Sequence, residues 1–422
     1  MNLKQSLLIL ISLMLFGNIS AQHKNETLTD LINEAIRVSP KIKMLEYKLK
    51  VAESRIEQNT NLPDPMLTLG LMNMPTNTFS FTQEPMTGKV IGLSQAIPFP
   101  GGLSAKAKVK AVDTLIVNEE LKDYKNEISK TVSTLYYNLI FVREEIKLTN
   151  ESKNLLSSIL EVVKSKYEVS KASMQNIIKV NVQQTRIQDK IEILKGKENS
   201  IVAELNAFLL RDIETSIFVE DVLATEFNLV SNKELIEIAK ENRPILKGIK
   251  LSNRKSKLME EQAEYEFYPN FNFGVQYSQR DYNNFTGIDF SDFLSVVVGI
   301  ILPINYGGKK TAKINEAKFL QNFYQEKFNE SVQELNSSIG KTISKLSELQ
   351  NREILFSKTL VVQTEQSFRI ALSDYQVGKI DFVNVIDAER EILNVKTELL
   401  KIQTDYKVNI AELEFLVGRK LN

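Results

Sequence analysis

The stretch DYQVGKIDFVNVIDAER (residues 374–390) lies between two segments whose apolar residues follow a helical heptad, yet its middle is unfavourable for a continuing helix. Gly378 and Asp381, in this middle part, are residue types that favour turns. An earlier stretch, KYEVSKASMQNIIKVNV (residues 166–182), has the same outline. We therefore predict that a long helix ends, and that the chain turns into a returning helix, at two places.

Composition excludes several classes of protein. The chain has 422 residues, 53 basic and 53 acidic side chains, and no cysteine. Balanced charge provides no basic stripe, so we predict no nucleic-acid partner. The absence of cysteine excludes disulfides, thiolate metal sites and a lipid-modified N-terminal cysteine. With one histidine, His23, and no nucleotide-binding or nucleophile motif, we predict neither an enzyme nor a cofactor.

The N-terminus has the pattern of a secretory signal peptide. An early lysine, an apolar run from Leu7 to Phe16 and the small residues Ser20 and Ala21 predict that residues 1–21 are removed. The alternative is a transmembrane anchor, but the run is shorter than the roughly 20 residues that span a bilayer. Any attachment to a membrane is therefore expected to come from the fold of the mature chain.

An internal repeat organises the mature chain. PMLTLGL (65–71) matches PNFNFGV (269–275), and YEVSKASMQNI (167–177) matches YQVGKIDFVNV (375–385). Further matches in the same order indicate a duplication. The predicted units are a first repeat (22–212), a linker (213–230) and a second repeat (231–422).

Each repeat is predicted to contain a helix, a pair of strands, a very long helix and a returning helix. In the first long helix, apolar residues from Val132 to Ile146 alternate steps of three and four, as in a coiled coil. At 1.5 Å per residue its roughly 66 residues form a rod of about 100 Å. The predicted fold is mainly α with a small β part. The bounds are strand pairs at about 65–98 and 269–304, long helices 103–168 and 309–377, and return helices 174–211 and 382–419; Gly340 is the one glycine or proline that disturbs the second long helix pattern.

The strands are predicted to have one apolar and one polar face. Phe271, Phe273 and Val275 alternate with Asn270 and Asn272. Four strands are too few to close a barrel, and a bilayer does not tolerate unpaired strand edges. We therefore expect several copies to build one barrel, with the apolar face against lipid and the amide face towards a wet lumen. Three chains would supply twelve strands and a twelve-helix cylinder.

The chain resembles the TolC family of outer-membrane efflux channels. The resemblance rests on the signal peptide, the duplicated helix, strand-pair and long-helix pattern, and the twice-used Tyr-x-Val-Gly/Ser-Lys break. The run NLPDPMLTLGLMNMP…EPMTGKVIGLSQAIPFPGG (61–102) is most similar to the cation-efflux branch. The family implies a homotrimer with a twelve-stranded outer-membrane barrel and a helical tunnel across the periplasm. It also implies a periplasmic adaptor and an inner-membrane pump of the RND type as partners.

The function that the resemblance implies is passive conduction of exported heavy-metal cations or drugs. One alternative is the outer-membrane duct of a type I protein secretion system, which uses the same architecture. A second alternative, from another class, is a periplasmic coiled-coil scaffold without a pore. The amphipathic strands argue against the scaffold, because a soluble adaptor does not need an apolar strand face.

The resemblance places a periplasmic gate at the two helix breaks. Tyr375 stands where the family has a tyrosine that bonds to a neighbouring hairpin, and Gly378 is the turn residue. Ile380 stands where an arginine latch is found in the family, so closure by hydrogen bonds or packing is expected instead of a salt bridge. The alternative is that these residues only cap and pack the turn. The predicted gate residues are Tyr167, Ser170, Gln175, Asn176, Tyr375, Gly378, Lys379, Asn384 and Asp387.

Two of these residues stand where some family members carry inward-facing aspartates. Asn384 and Asp387 are three positions apart, so they share one helical face. Three copies would form a polar ring and an anionic ring, which favours cations.

Two further groups of residues are candidates. Proline and glycine near the ends of the strand pairs are predicted to redirect each strand into a rod. Methionines in the first strand pair are predicted to lie on the lumen face, where thioethers could make transient contacts with Cu(I) or Ag(I), or simply fill the barrel. The residues are Pro98, Pro100, Gly101, Gly102, Pro303, Gly307 and Gly308 for the swivel, and Met66, Met72 and Met74 for the metal contacts.

Overall fold

A computed structural model of the chain describes residues 26–219, 232–284 and 286–421. The predicted signal peptide and most of the predicted linker lie outside these residues. The prediction of a mainly helical fold with a small antiparallel sheet is confirmed. None of the described helices is long and apolar enough to cross a membrane.

The described elements follow the same order in both halves of the chain. The first half contains α1 (Leu28–Val38), α2 (Pro40–Thr60), β1 (Met66–Met72), β2 (Gly88–Ile97), α3 (Gly102–Glu168) and α4 (Met174–Leu209). The second half contains α5 (Asn232–Asn242), α6 (Pro244–Tyr265), β3 (Asn270–Gln279), β4 (Phe293–Ile301), a 3₁₀ turn (Tyr306–Gly308), α7 (Lys309–Leu355), a π-helical segment (Phe356–Leu360), α8 (Val361–Gln376) and α9 (Phe382–Val417).

Each half opens with two helices, where the sequence predicted one. The break lies at Ser39 in the first half and at Arg243 in the second, each directly before a proline. A residue before proline is disfavoured in the α conformation, and proline suits the first position of a new helix. The Ser39 hydroxyl accepts a hydrogen bond from the Ile42 amide at 3.4 Å and so caps α2. The prolines therefore start a helix instead of lying inside one.

The four strands form one antiparallel sheet in the order β1-β2-β3-β4. Its register places Leu69 opposite Ile91, and Leu93 opposite Val275, which in turn pairs with Val296. Apolar side chains from all four strands therefore share one face. The opposite face, which we call the polar sheet face, carries glycine, serine and asparagine residues together with Met66, Met72 and Val297. We call the first the apolar sheet face; its members are exposed in the single chain and include Leu67, Leu69, Leu71, Ile91, Leu93, Phe273, Val275, Leu294, Val296, Val298 and Ile300.

The two long rods differ by one residue. The first is the unbroken helix α3, of 67 residues and therefore about 100 Å. The second, residues 309–376, is one residue longer and contains the π-helical segment Phe356–Leu360. Gly340, the only glycine within the second rod, lies inside α7 and does not interrupt it. A π-turn has one extra residue, so it absorbs the insertion and keeps the apolar stripe of α8 on the same face.

Buried apolar side chains form separate clusters along the rods. One cluster joins α1 and α2 to α3 and α4, and another joins α5 and α6 to α7 and α9. A further cluster is shared by both halves and contains Val163 of α3, Val180 of α4, Phe368 of α8 and Val385 of α9. This shared cluster holds the two helical turns side by side.

Candidate functional site at the paired helical turns

The two turns between long helices have the same main-chain hydrogen bonds. In the first, the Ser170 amide donates to the Tyr167 carbonyl at 2.9 Å, and the Lys171 amide donates to the Lys166 carbonyl at 2.8 Å. In the second, the equivalent bonds run from Gly378 to Tyr375 at 3.0 Å and from Lys379 to Asp374 at 2.8 Å. Each pair is a Schellman motif, which satisfies the last carbonyls of a helix and reverses the chain.

The motif requires one left-handed residue in each turn. Gly378 occupies this position with φ of 82°, and Ser170 occupies it with φ of 61°. A Cβ at Gly378 would meet no atom within 4 Å, so the cost of a side chain there is conformational and not steric. An L-residue other than glycine pays roughly 1–2 kcal/mol for this conformation. The first turn is therefore strained where the second is not.

The two tyrosines of the turns differ in burial. Tyr375 is 5% exposed and packs on Phe382, with ring centroids 5.2 Å apart, whereas Tyr167 is 46% exposed. Burial raises the pKa of the Tyr375 hydroxyl, and the Asn176 side chain opposes this shift, although the two groups do not reach full hydrogen-bond geometry. Tyr375 is thus part of the shared cluster, and its counterpart faces outward.

A lysine joins the two turns of one protomer. The Lys166 ammonium donates a hydrogen bond of 2.6 Å to the Tyr375 carbonyl. The same ammonium lies 4.7 Å from the centroid of the Tyr375 ring, within the range of a cation–π contact. Lys166 was absent from the predicted gate residues, and sequence spacing alone does not show which helix end it meets. Lys379, which was predicted, makes only an exposed pair with Asp374 at 3.4 Å.

Asn384 and Asp387 lie on an exposed face of α9, next to a groove between α4 and α9. This groove, of about 420 Å³, is lined by Asp387, by Gln175 at the start of α4, and by the basic residues Lys179, Arg186 and Arg390, with apolar side chains between them. The Arg390 guanidinium lies 3.8 Å from the Asp387 carboxylate and also donates to the Gln183 side chain at 3.1 Å. The predicted acid therefore lies among cations that the sequence analysis did not include.

The first predicted swivel is built around a close contact. Gly101 precedes α3 with φ of 94°, and a Cβ there would lie 2.8 Å from the Tyr265 ring. Phe99, between Pro98 and Pro100, stacks on Tyr268 with centroids 4.5 Å apart. The strand end of the first half is thus packed against the end of α6 in the second half.

The second swivel is more open. Gly307 and Gly308 have φ of 61° and 74°, and a Cβ at either would meet nothing within 4 Å. Asn305 holds the start of α7, because its side-chain oxygen accepts from the Lys310 amide at 2.9 Å. The Lys310 ammonium also donates to the Glu266 carbonyl at 2.5 Å. Pro303 and these glycines therefore lie where the chain changes direction, and Gly102 is the first residue of α3.

The predicted methionines do not form one site within a protomer. Met66 and Met72 lie on the polar sheet face, six residues apart in β1, which separates them by about 20 Å. Met74 follows Asn73, a left-handed residue beyond the end of β1, so strand alternation does not apply to it. The Met72 sulfur accepts a weak hydrogen bond from the Gln276 amide at 3.4 Å. Contact with a soft metal remains a prediction for single thioethers.

Comparison with known proteins identifies the architecture. Residues 235–419 match the family described as outer membrane efflux protein. The outer membrane protein TolC of Vibrio cholerae serotype O1 (strain ATCC 39315 / El Tor Inaba N16961) is 21% identical over 429 residues, which cover 95% of this chain and 93% of that protein.

Two solved structures are similar over nearly their full length. CusC has a TM-score of 0.77 at 15% identity and covers 96% of this chain and 95% of its own. VceC of Vibrio cholerae has a TM-score of 0.75 at 16% identity and covers 94% of this chain and 97% of its own. At these identities the likeness establishes a shared fold.

Exchanging the left-handed residues should change the stability of the turns in opposite directions. We expect Ser170→Gly to stabilise the first turn and Gly378→Ser to destabilise the second, each by about 1 kcal/mol. The reason is that the left-handed conformation is unfavourable for serine and not for glycine. Hydrogen exchange of amides 166–176 and 374–384 measures local opening. Equal protection in wild type and both variants would contradict the strain at Ser170.

Proposed function

We propose that this chain is a member of the outer membrane efflux protein family, whose model matches residues 235–419, and that three copies of it form one channel for the passive export of substrates from the periplasm. This family consists of transport channels and not of enzymes. On this proposal the protein lies in the outer membrane and extends into the periplasm, as its relatives do. Channels of the family are homotrimers that work with an adaptor and an inner-membrane pump.

The observation that carries this proposal is the open sheet with one apolar face. β1 and β4 each have an edge without a strand partner among the described residues. Unpaired main-chain groups cost several kcal/mol each in lipid, so each edge must pair with another chain. If β4 of one copy pairs with β1 of the next, three copies close twelve strands into a barrel. The apolar sheet face then meets lipid, and the polar sheet face lines the lumen.

The helical layer supports the same contact between copies. α2 packs on α3, α3 on α6, and α6 on α7, so α2 and α7 lie at the two ends of this layer. Both carry unpartnered apolar stripes in the single chain, with Met44 and Tyr47 on α2 and Phe319 and Phe323 on α7. Because α2 leads to β1 and α7 follows β4, a head-to-tail contact joins helix and sheet edges together. Repetition of one such contact closes a ring.

The α7 edge provides a test of assembly. Phe319 is 71% exposed in the protomer, and we expect Phe319→Asp to prevent trimer formation, because an aspartate buried at the contact has no partner. Phe319→Leu, the matched control, keeps the edge apolar and should remain trimeric. Mass measurement in mild detergent distinguishes the two. If the wild-type protein is monomeric in mild detergent, or if salt washing releases it from the membrane, the proposal of a channel is contradicted and a periplasmic scaffold is favoured.

We further propose that the paired turns form the periplasmic gate. The exposed position of Asn384 and Asp387 near the tip of α9, and the Lys166–Tyr375 contact between the turns, support this role. Threefold repetition would place three Asp387 carboxylates around the axis, where they attract cations. The basic residues Lys179, Arg186 and Arg390 in the groove beside Asp387 weaken this attraction, so we expect moderate cation selectivity.

Selectivity in planar bilayers tests the role of Asp387. We expect Asp387→Asn to shift the reversal potential towards anions, since it removes the acid and leaves Lys179, Arg186 and Arg390 in place. Glu53→Gln, which removes one acid from exposed α2 far from the turn, is the control and should leave the reversal potential unchanged. An Asp387 variant with wild-type conductance and selectivity would contradict the anionic ring and leave capping and packing as its role.

For the cargo, we propose heavy-metal cations or drugs delivered by a pump of the RND type. The similarity of residues 61–102 to the cation-efflux branch supports this, and Met66 and Met72 place soft ligands on the proposed lumen face. Deletion of the gene should lower the tolerated concentration of copper, silver or amphipathic drugs, and the wild-type gene should restore it. Unchanged tolerance together with loss of a secreted protein would instead indicate a type I secretion duct.

A further inference from the structure

A cavity of about 330 Å³ lies between α3, α8 and α9, above the paired turns. Its floor is apolar and includes Leu155, Phe368 and Ile392. A volume of this size is at the lower end of the range that holds small organic ligands. The cavity is built from one protomer and takes no part in the contacts between copies proposed above.

A buried carboxylate lines this cavity. Glu389 is 1% exposed, and one of its oxygens accepts a hydrogen bond from the Ser152 hydroxyl across the α3–α9 contact. Its other oxygen, Oε2, is buried and has no hydrogen-bond partner in the part of the chain that the structure describes. An unsatisfied buried acceptor costs roughly 1–3 kcal/mol, and more when it is charged. The protein therefore maintains an unfavourable group at this position.

The cations near Glu389 are engaged elsewhere. The Lys396 ammonium lies 2.7 Å from the Glu365 carboxylate, and the Arg369 guanidinium lies 3.6 Å from the same carboxylate. Arg390 contacts Gln183 and Asp387 in the groove described above. Glu151 adds a further acid to the cavity wall. The cavity thus has two acids, Glu151 and Glu389, for which no ion pair within 4 Å is seen among the described residues.

We propose that this cavity binds a small organic cation with an apolar body. The positive group would pair with Glu389 Oε2, and the body would pack on Leu155, Phe368 and Ile392. Phe368 adds an aromatic ring of the kind that attracts organic cations. A bare metal ion is disfavoured, because no group of three acidic, histidine or cysteine side chains among the described residues could hold one.

Binding at this site is coupled to protons. Burial raises the pKa of Glu389, while Ser152 and the charge of Arg390 act against this rise. Glu365 and Glu151 face the same space from α8 and α3; Lys396 and Arg369 pair with Glu365, whereas no ion pair of Glu151 is seen among the described residues. The cation needs an ionised Glu389, so its affinity is full above the carboxyl pKa and falls as the pH drops below it. A Glu389→Gln variant should lack this pH dependence.

Ethidium is a suitable probe, because its fluorescence rises in an apolar environment. We expect the full-length channel in detergent to bind ethidium, and Glu389→Gln to weaken binding by about tenfold or more, the equivalent of losing one charge contact. Glu391→Gln, on an exposed part of the same helix, should bind as the wild type does. Ile392→Phe narrows the cavity without a change of charge and should also weaken binding. Melting temperatures of all variants establish that each is folded.

Several outcomes would overturn the proposal. One is wild-type affinity in Glu389→Gln, and another is equal competition by phenanthridine, an uncharged relative of ethidium. Loss of binding in Asp387→Asn, but not in Glu389→Gln, would place the ligand at the turn instead. Conductance in planar bilayers is measured in parallel. Normal conductance without specific ethidium binding would refute this inference and leave the proposed function intact.

Discussion

Main-chain hydrogen bonding at the two sheet edges is the constraint on which the rest of the structure depends. A four-stranded sheet with an exposed apolar face suits neither water nor lipid when it is alone. In water the apolar sheet face is unfavourable, and in lipid the free edges of β1 and β4 are unfavourable. The proposed closure with further copies would solve both problems. Because α2 and α7 continue from the edge strands, closure of the sheet would also dictate how the rods meet.

The two halves of the chain form hairpins that share a backbone conformation but differ in environment. Both turns are Schellman motifs, so the main chain is repeated closely. The positions of the side chains are not repeated, because Tyr375 is buried between the hairpins and Tyr167 faces outward. The second rod also carries the π-helical insertion. A ring of three chains would therefore alternate two kinds of hairpin, and a movement of one kind would not require the same movement of the other.

Local patterns in the sequence were sufficient for the strands and the long helices and not for the contacts between them. Period-two alternation located the strands, and the glycine or serine breaks located the turns, because both features depend on neighbouring residues. The breaks before Pro40 and Pro244 could have been predicted from proline geometry. The Ser152–Glu389 bond could not, since its partners are 237 residues apart. One signal was present: Glu389 interrupts an apolar stripe formed by Phe382, Val385, Ile386 and Leu393.

Two acids on α9, only two positions apart, illustrate what packing adds to sequence. Asp387 lies on the exposed side of the helix among basic residues, whereas Glu389 points into the contact with α3 and lacks a cation. An apolar residue at position 389 would continue the apolar stripe of α9 and remove the free-energy cost of burying a carboxylate. Stability alone therefore favours its replacement. A residue that lowers stability at a contact between two hairpins is best explained by something that the contact must bind or release.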